Sequence, residues 1–174
     1  NSSSGELKYE LITAVPEVVE SSELKTSPLF SYFPTEITLP LPVVCHATLE
    51  LDQSRNHLTN CKSNHFVLTK LAAFLAEVAE ECAADNSTGS NAGFRVVMPM
   101  EHYSESLNRF DLEAKILKFC RSKSIVPTLR GIAVKPNEAF TIEGASTKWL
   151  PADSFNDVVP VGEVQLQWLR DLGV

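Results

Sequence analysis

Ser54-Arg55-Asn56-His57-Leu58-Thr59 places a guanidinium, an amide, an imidazole and two hydroxyls within six residues, directly after a segment patterned as a strand. Arg55 is the most specific of these groups. A guanidinium is planar, keeps its charge at any ordinary pH and donates several hydrogen bonds in a fixed fork, which suits a phosphate or carboxylate. Delivered to a phosphoryl-transfer site, such a group can be worth about 10³ to 10⁵ in rate. Cys45-His46 is the other pair that could do chemistry, as a thiol beside a base. Neighbours on a strand point to opposite faces, so those two side chains cannot act on each other. His46, Thr48, Glu50 and His57 could share one side of a sheet, but the chain has neither His-X-His nor His-X-X-X-His. They read as a solvated polar face, and no metal site is expected.

The elements that must position this cluster follow from periodicity. Val43, Cys45, Ala47, Leu49 and Leu51 alternate with Val44, His46, Thr48, Glu50 and Asp52, the period of two of a half-buried strand over residues 43–52. Asp52, Gln53 and Ser54 are turn formers that end it. Residues 7–15 alternate likewise and suit an antiparallel partner strand. Between them, Leu29, Phe30, Tyr32 and Phe33 cluster without regular spacing, which predicts either a plug sealing the sheet edge or a docking surface. From Ser63 the pattern becomes helical. Ser63 or Asn64 can cap the first turn, and Val67, Leu71, Phe74, Leu75, Val78 and Cys82 mark the buried face of a helix over residues 63–84. Residues 85–93, DNSTGSNAG, predict a mobile polar loop. FRVVM at 94–98 predicts a short strand ended by Pro99.

A second helix is expected over residues 104–123, with Leu107, Phe110, Ala114, Leu117 and Cys120 inside and Leu112, Ile116 and Phe119 widening that stripe. Its basic end, Lys115, Lys118, Arg121 and Lys123, suits the negative end of a helix dipole. Residues 125–129 and 132–135 form a strand pair around Arg130-Gly131. Trp149-Leu150-Pro151 and Phe155 are expected to tuck onto the core, and Val164, Trp168 and Leu172 to line a closing helix. The fold class is therefore α/β: a mixed sheet packed by two main helices in a two-layer to three-layer sandwich.

The 174 residues have the length of one domain, and the opening Asn in NSSSG has the look of a loop, so the chain is expected to be a piece of a longer protein. A net charge of −7 with scattered Lys and Arg argues against general nucleic-acid binding. The apolar runs are too short to span a bilayer, so no membrane association is expected. Four cysteines without paired spacing suit a reducing, intracellular setting, cytoplasmic or nuclear. With 7 glycines and no Walker or Gly-X-X-Gly-X-Gly sequence, no nucleotide cradle is expected in the chain itself.

LFSYFPTEITLPLP, a strand and then SRNHL resemble the region following the nucleotide-binding domain in sacsin-like proteins, relatives of the ninety-kilodalton heat-shock chaperones in the GHKL ATPase superfamily. NHFVLTKLAAFLAEVAEE, IVPTLRGIAVKPNEAF and WLRDLGV extend the resemblance more weakly. The chaperones' middle domain carries a Ser-Arg-Glu-X-Leu-Gln motif whose arginine reaches the γ-phosphate of ATP in the preceding domain. Ser54, Arg55 and Leu58 match it, whereas Asn56 and Thr59 stand at its glutamate and glutamine positions. The resemblance implies that residues 1–174 are one middle, transducer-like domain, with Arg55 as the γ-phosphate contact and Ser54, Asn56, His57 and Thr59 as weaker binding candidates. It implies ATP and Mg as cofactors of the full-length protein, none in this segment alone, and an adjoining nucleotide-binding domain or protein clients as partners. A scaffold or interaction module that kept the fold without a nucleotide role is the alternative.

Overall fold

A computed structural model describes residues 8–16, 25–85, 91–141 and 163–174. Strands β1 (Leu11–Ala14), β2 (Ser27–Ser31), β3 (Phe33–Leu39) and β4 (Val44–Ala47) form one sheet in the order β1-β4-β2-β3. β1 and β3 run antiparallel to their neighbours, while β2 and β4 pair in parallel, so the sheet is mixed. The alternation read in the sequence holds, but the strand expected over 43–52 is shorter, ending at Ala47, with Leu51 in an isolated bridge beyond it. Val43, Cys45, Ala47 and Leu49 are buried, whereas Val44 and Glu50 are exposed and His46 and Thr48 lie between. Leu11 opposite Ala47 and Thr13 opposite Cys45 complete the inner rows against β1.

The irregular aromatic stretch is not an edge plug. It is a hairpin, β2 turning into β3 at Tyr32, and β2 lies inside the sheet between β4 and β3. A register shift between Pro28 and Phe30 hid its strand period. At that irregularity the Thr35 hydroxyl donates to the Leu29 carbonyl at 2.7 Å and accepts from the Ile37 amide at 3.1 Å, so the disrupted ladder does not leave buried backbone groups orphaned.

Helix α1 (Lys62–Ala84) packs on the inner face through Val67, Leu68, Leu71, Ala72, Leu75, Ala76 and Ala79. Cys61 is its N-cap, not Ser63 or Asn64, because Asn64 is drawn inside the first turn and buried for another purpose. Residues 94–98 are not a strand. Residues 94–97 belong to α2 (Ala92–Val97), with Met98 as its C-cap, and the β-branched valines of α2 are turned helical by packing against α1. Of the loop expected at 85–93, residues 86–90 lie outside the described residues and Gly93 is buried within α2.

The helix expected over 104–123 is two pieces, α3 (Glu105–Asn108) and α4 (Leu112–Cys120), separated at Asp111 with φ of 52°. The break resets the phase. Leu112, Ile116 and Cys120 become the buried stripe of α4, and Ala114 is exposed instead of internal. α4 packs on α1 and, with it, makes the helical layer over the sheet. Its basic end is engaged locally: Lys123 meets Glu80 of α1 at 2.7 Å, and Arg121 donates to the Asp171 carbonyl of α5 (Glu163–Leu172) at 3.0 Å. β5 (Val126–Pro127) and β6 (Ala133–Val134) form the expected pair, closed by Gly131 at φ of 76°. Trp168 and Leu172 are buried on α5, while Trp149, Leu150, Pro151 and Phe155 lie outside the described residues. Among the described residues, no helix is long and apolar enough to cross a membrane.

Candidate functional site

The polar cluster after β4 is a closed loop built on its own backbone. Leu51 bridges Leu58, the Asp52 amide donates to the His57 carbonyl at 3.0 Å, and the Thr59 amide donates to the Glu50 carbonyl at 3.0 Å. Asp52 organises the interior. Its Oδ2 accepts from the Ser54 hydroxyl at 2.8 Å, and its Oδ1 accepts from the amides of Asn56 at 3.0 Å and His57 at 3.3 Å. These donors, Ser54 first, hold the Asp52 carboxyl below its ordinary range. A depressed carboxyl contributes stability above its unfolded value and loses it as pH falls through its folded one. We therefore expect amide hydrogen exchange at Asn56 and His57 to accelerate as pH is lowered through the carboxylate range, beyond the intrinsic pH dependence of exchange, while amides of α1 show no such excess.

A second clamp sits below the loop. Asn64, fully buried, accepts at Oδ1 from the Glu50 amide at 2.8 Å and donates from Nδ2 to the carbonyls of Glu50 and Thr59, each at 2.7 Å. Both stems of the loop are thus bolted to the first turn of α1.

Arg55 occupies the tip with φ of 62°, a left-handed conformation uncommon for a residue with a Cβ. Its Nη2 donates to the Ser31 carbonyl at 2.9 Å, and its guanidinium carbon lies 5.6 Å from the centre of the Phe33 ring. No carboxylate lies within ion-pair distance of it among the described residues. Tyr32 opposite is also left-handed, with φ of 60°, and its amide donates to His46 Nε2 at 3.1 Å. Two side chains, Arg55 and His46, therefore satisfy the backbone groups that the tight β2–β3 turn cannot pair for itself.

The predicted site residues are brought together by backbone but point to different neighbours. Ser54 is spent on Asp52, and Thr59 contributes its backbone to the stems. Asn56 and His57 line a cleft of about 500 Å³ with Glu36, Ile37, Ser104 and Arg109. His57 Nδ1 lies 3.4 Å from the Ser106 hydroxyl of α3, which also lines this cleft. Sequence reasoning missed Glu36, Ser104, Ser106 and Arg109, because sites made between distant segments have no local spacing. It also missed Asn64, whose position in a helix start signalled only a cap.

The rival chemistry is closed. Cys45 is buried against Thr13, and burial pushes its thiol up to about 11, so little thiolate forms. His46 faces the other side of the sheet, engaged with Tyr32. Among the described residues, no group of three or more His, Cys, Asp or Glu side chains is placed to hold a metal ion.

In comparisons with known proteins, no protein-family model, no curated protein and no solved structure matches this chain.

Proposed function

We propose that this chain is a middle, transducer-like domain of a chaperone-type GHKL ATPase, and that Arg55 is the group it offers to ATP held by an adjoining nucleotide-binding domain. The observation that carries this reading is a guanidinium without a carboxylate partner among the described residues, at the tip of a loop clamped by Asp52 and Asn64. A rigid stem with a side chain at its end is what delivery of a charge to a second domain requires. Its fork suits the γ-phosphate, with ATP and Mg supplied by the neighbouring domain. The sequence resemblance at Ser54, Arg55 and Leu58 supports the same role.

One contact favours the alternative of a non-catalytic scaffold or interaction module. Nη2 of Arg55 already caps the Ser31 carbonyl, so part of the guanidinium serves this domain's own turn. The two readings separate in the full-length protein. Under the transducer reading, Arg55→Ala lowers ATP turnover by at least roughly tenfold while changing nucleotide affinity far less, because a charge delivered in the closed state acts on the transition state. Arg55→Lys recovers little, since a point charge cannot reproduce the fork. Wild-type turnover in the alanine variant would leave the scaffold reading as the better one.

A further inference from the structure

We infer that the Tyr32–Phe33 turn is the surface on which the adjoining nucleotide-binding domain seats, and that its seating draws Arg55 off the Ser31 carbonyl. This inference rests on the interdomain role proposed above. Tyr32 and Phe33 are 70% and 67% exposed, the largest exposures among the bulky apolar side chains described. They are also held in place. Tyr32 is fixed by the hydrogen bond its amide donates to His46 Nε2 and by an edge-to-face contact with that ring at 5.5 Å, so the aromatic surface is ordered before any partner arrives. Exposed Tyr and Phe flanking an Arg is the composition of an interface centre.

The same spot is conspicuously not optimised for this domain alone. Tyr32 and Arg55 both adopt left-handed backbone conformations, and Arg55 bonds the carbonyls of Ser31 and Phe33 on either side of Tyr32. His46 accepts through Nε2, which leaves the neutral ring's proton on Nδ1, and that nitrogen is buried with no partner among the described residues. Departures of this kind concentrate where a surface answers to something beyond its own stability. The occupant is chosen by charge. On a chain of net charge −7, Arg55 is a cation without a carboxylate partner among the described residues, set over the exposed Phe33 ring. A partner surface must therefore present an anion beside apolar groups, and a domain holding a nucleotide phosphate does so. The apolar patch continues onto the outer sheet face through Phe30, Ile12 and Val44, with Phe30 and Ile12 in one row across His46, which gives the partner area beyond the turn.

The test uses the full-length polypeptide with the photo-crosslinker p-benzoylphenylalanine at position 32 or, separately, 33, with Tyr32→Ala/Phe33→Ala and Arg55→Ala alongside. With saturating ATP, crosslinks from both positions are expected in peptides of the nucleotide-binding domain. The double alanine variant is expected to lose ATP turnover roughly tenfold with nucleotide affinity little changed. Because the crosslinker preserves an aromatic side chain, the contact is read even where the double variant folds poorly. Absence of interdomain crosslinks, or crosslinks only between two copies of this domain, overturns the docking inference; a loss of turnover in Arg55→Ala would then still uphold the arginine's role. Interdomain crosslinks together with full turnover in Arg55→Ala would overturn the arginine's role and keep the docking surface.

Discussion

Asn64→Ala is expected to destabilise the domain by about 3 kcal/mol, seen as a urea midpoint lowered by roughly 1 to 2 M. The amide makes three hydrogen bonds from a fully buried position, to the Glu50 amide, the Glu50 carbonyl and the Thr59 carbonyl. Each bond contributes only about 1 kcal/mol net, but alanine also leaves those backbone groups without their partner in a place where water has poor access, which adds to the cost. Domains of this kind hold only about 5 to 15 kcal/mol in total, so the loss is large. The effect is also local in a diagnostic way. Both stems of the Arg55 loop lose their anchor to α1, so amide exchange at Asp52 and Thr59 should rise more than in the centre of β4. Asn64→Asp keeps an acceptor for the Glu50 amide but sets a carboxylate against two carbonyls, and at neutral pH it should be no more stable than the alanine variant. A midpoint within about 0.3 M of wild type for Asn64→Ala would mean that this amide does not hold the loop.

Gly93→Ala is expected to be comparably damaging, about 3 kcal/mol, although alanine ordinarily stabilises a helix over glycine by about 1 kcal/mol. The sign reverses because α2 lies directly on α1. A Cβ at position 93 would stand 2.2 Å from the Ala79 carbonyl oxygen and 2.5 Å from the Ala83 Cβ, so the two helices must separate. Thermal unfolding and helical circular dichroism check this. Adding Ala83→Gly should recover only part of the loss, since the Ala79 contact is to backbone and no side-chain truncation removes it. Equal or higher stability in Gly93→Ala would contradict the α1–α2 packing and reopen the strand reading of residues 94–98.

These two positions show where local pattern stops being informative. The alternation of Val43, Cys45, Ala47 and Leu49 with Val44, His46, Thr48 and Glu50 determined which face of β4 is buried, because a strand's period admits only two registers and one would bury a carboxylate. The run from Val67 to Cys82 determined α1 in the same way, since an apolar stripe of that length must be covered. The α/β class and the antiparallel pairing of β1 with β4 followed from those two patterns. Tertiary structure decided the rest. Val96 and Val97 are helical because α2 packs on α1, and that packing requires Gly93 to let the two backbones approach. The break at Asp111 re-phased α4 and moved Ala114 from the expected core to the surface. For the candidate site, the sequence by itself determined that Arg55 follows the sheet strand on a turn. That its guanidinium rests on the Ser31 carbonyl, 24 residues away, and that Asn56 and His57 open instead onto a cleft shared with Ser104 and Arg109, depended on segments meeting in space. Periodicity records only whether a side chain faces in or out; which distant group it meets is set by the crossing of elements, and no local spacing encodes that.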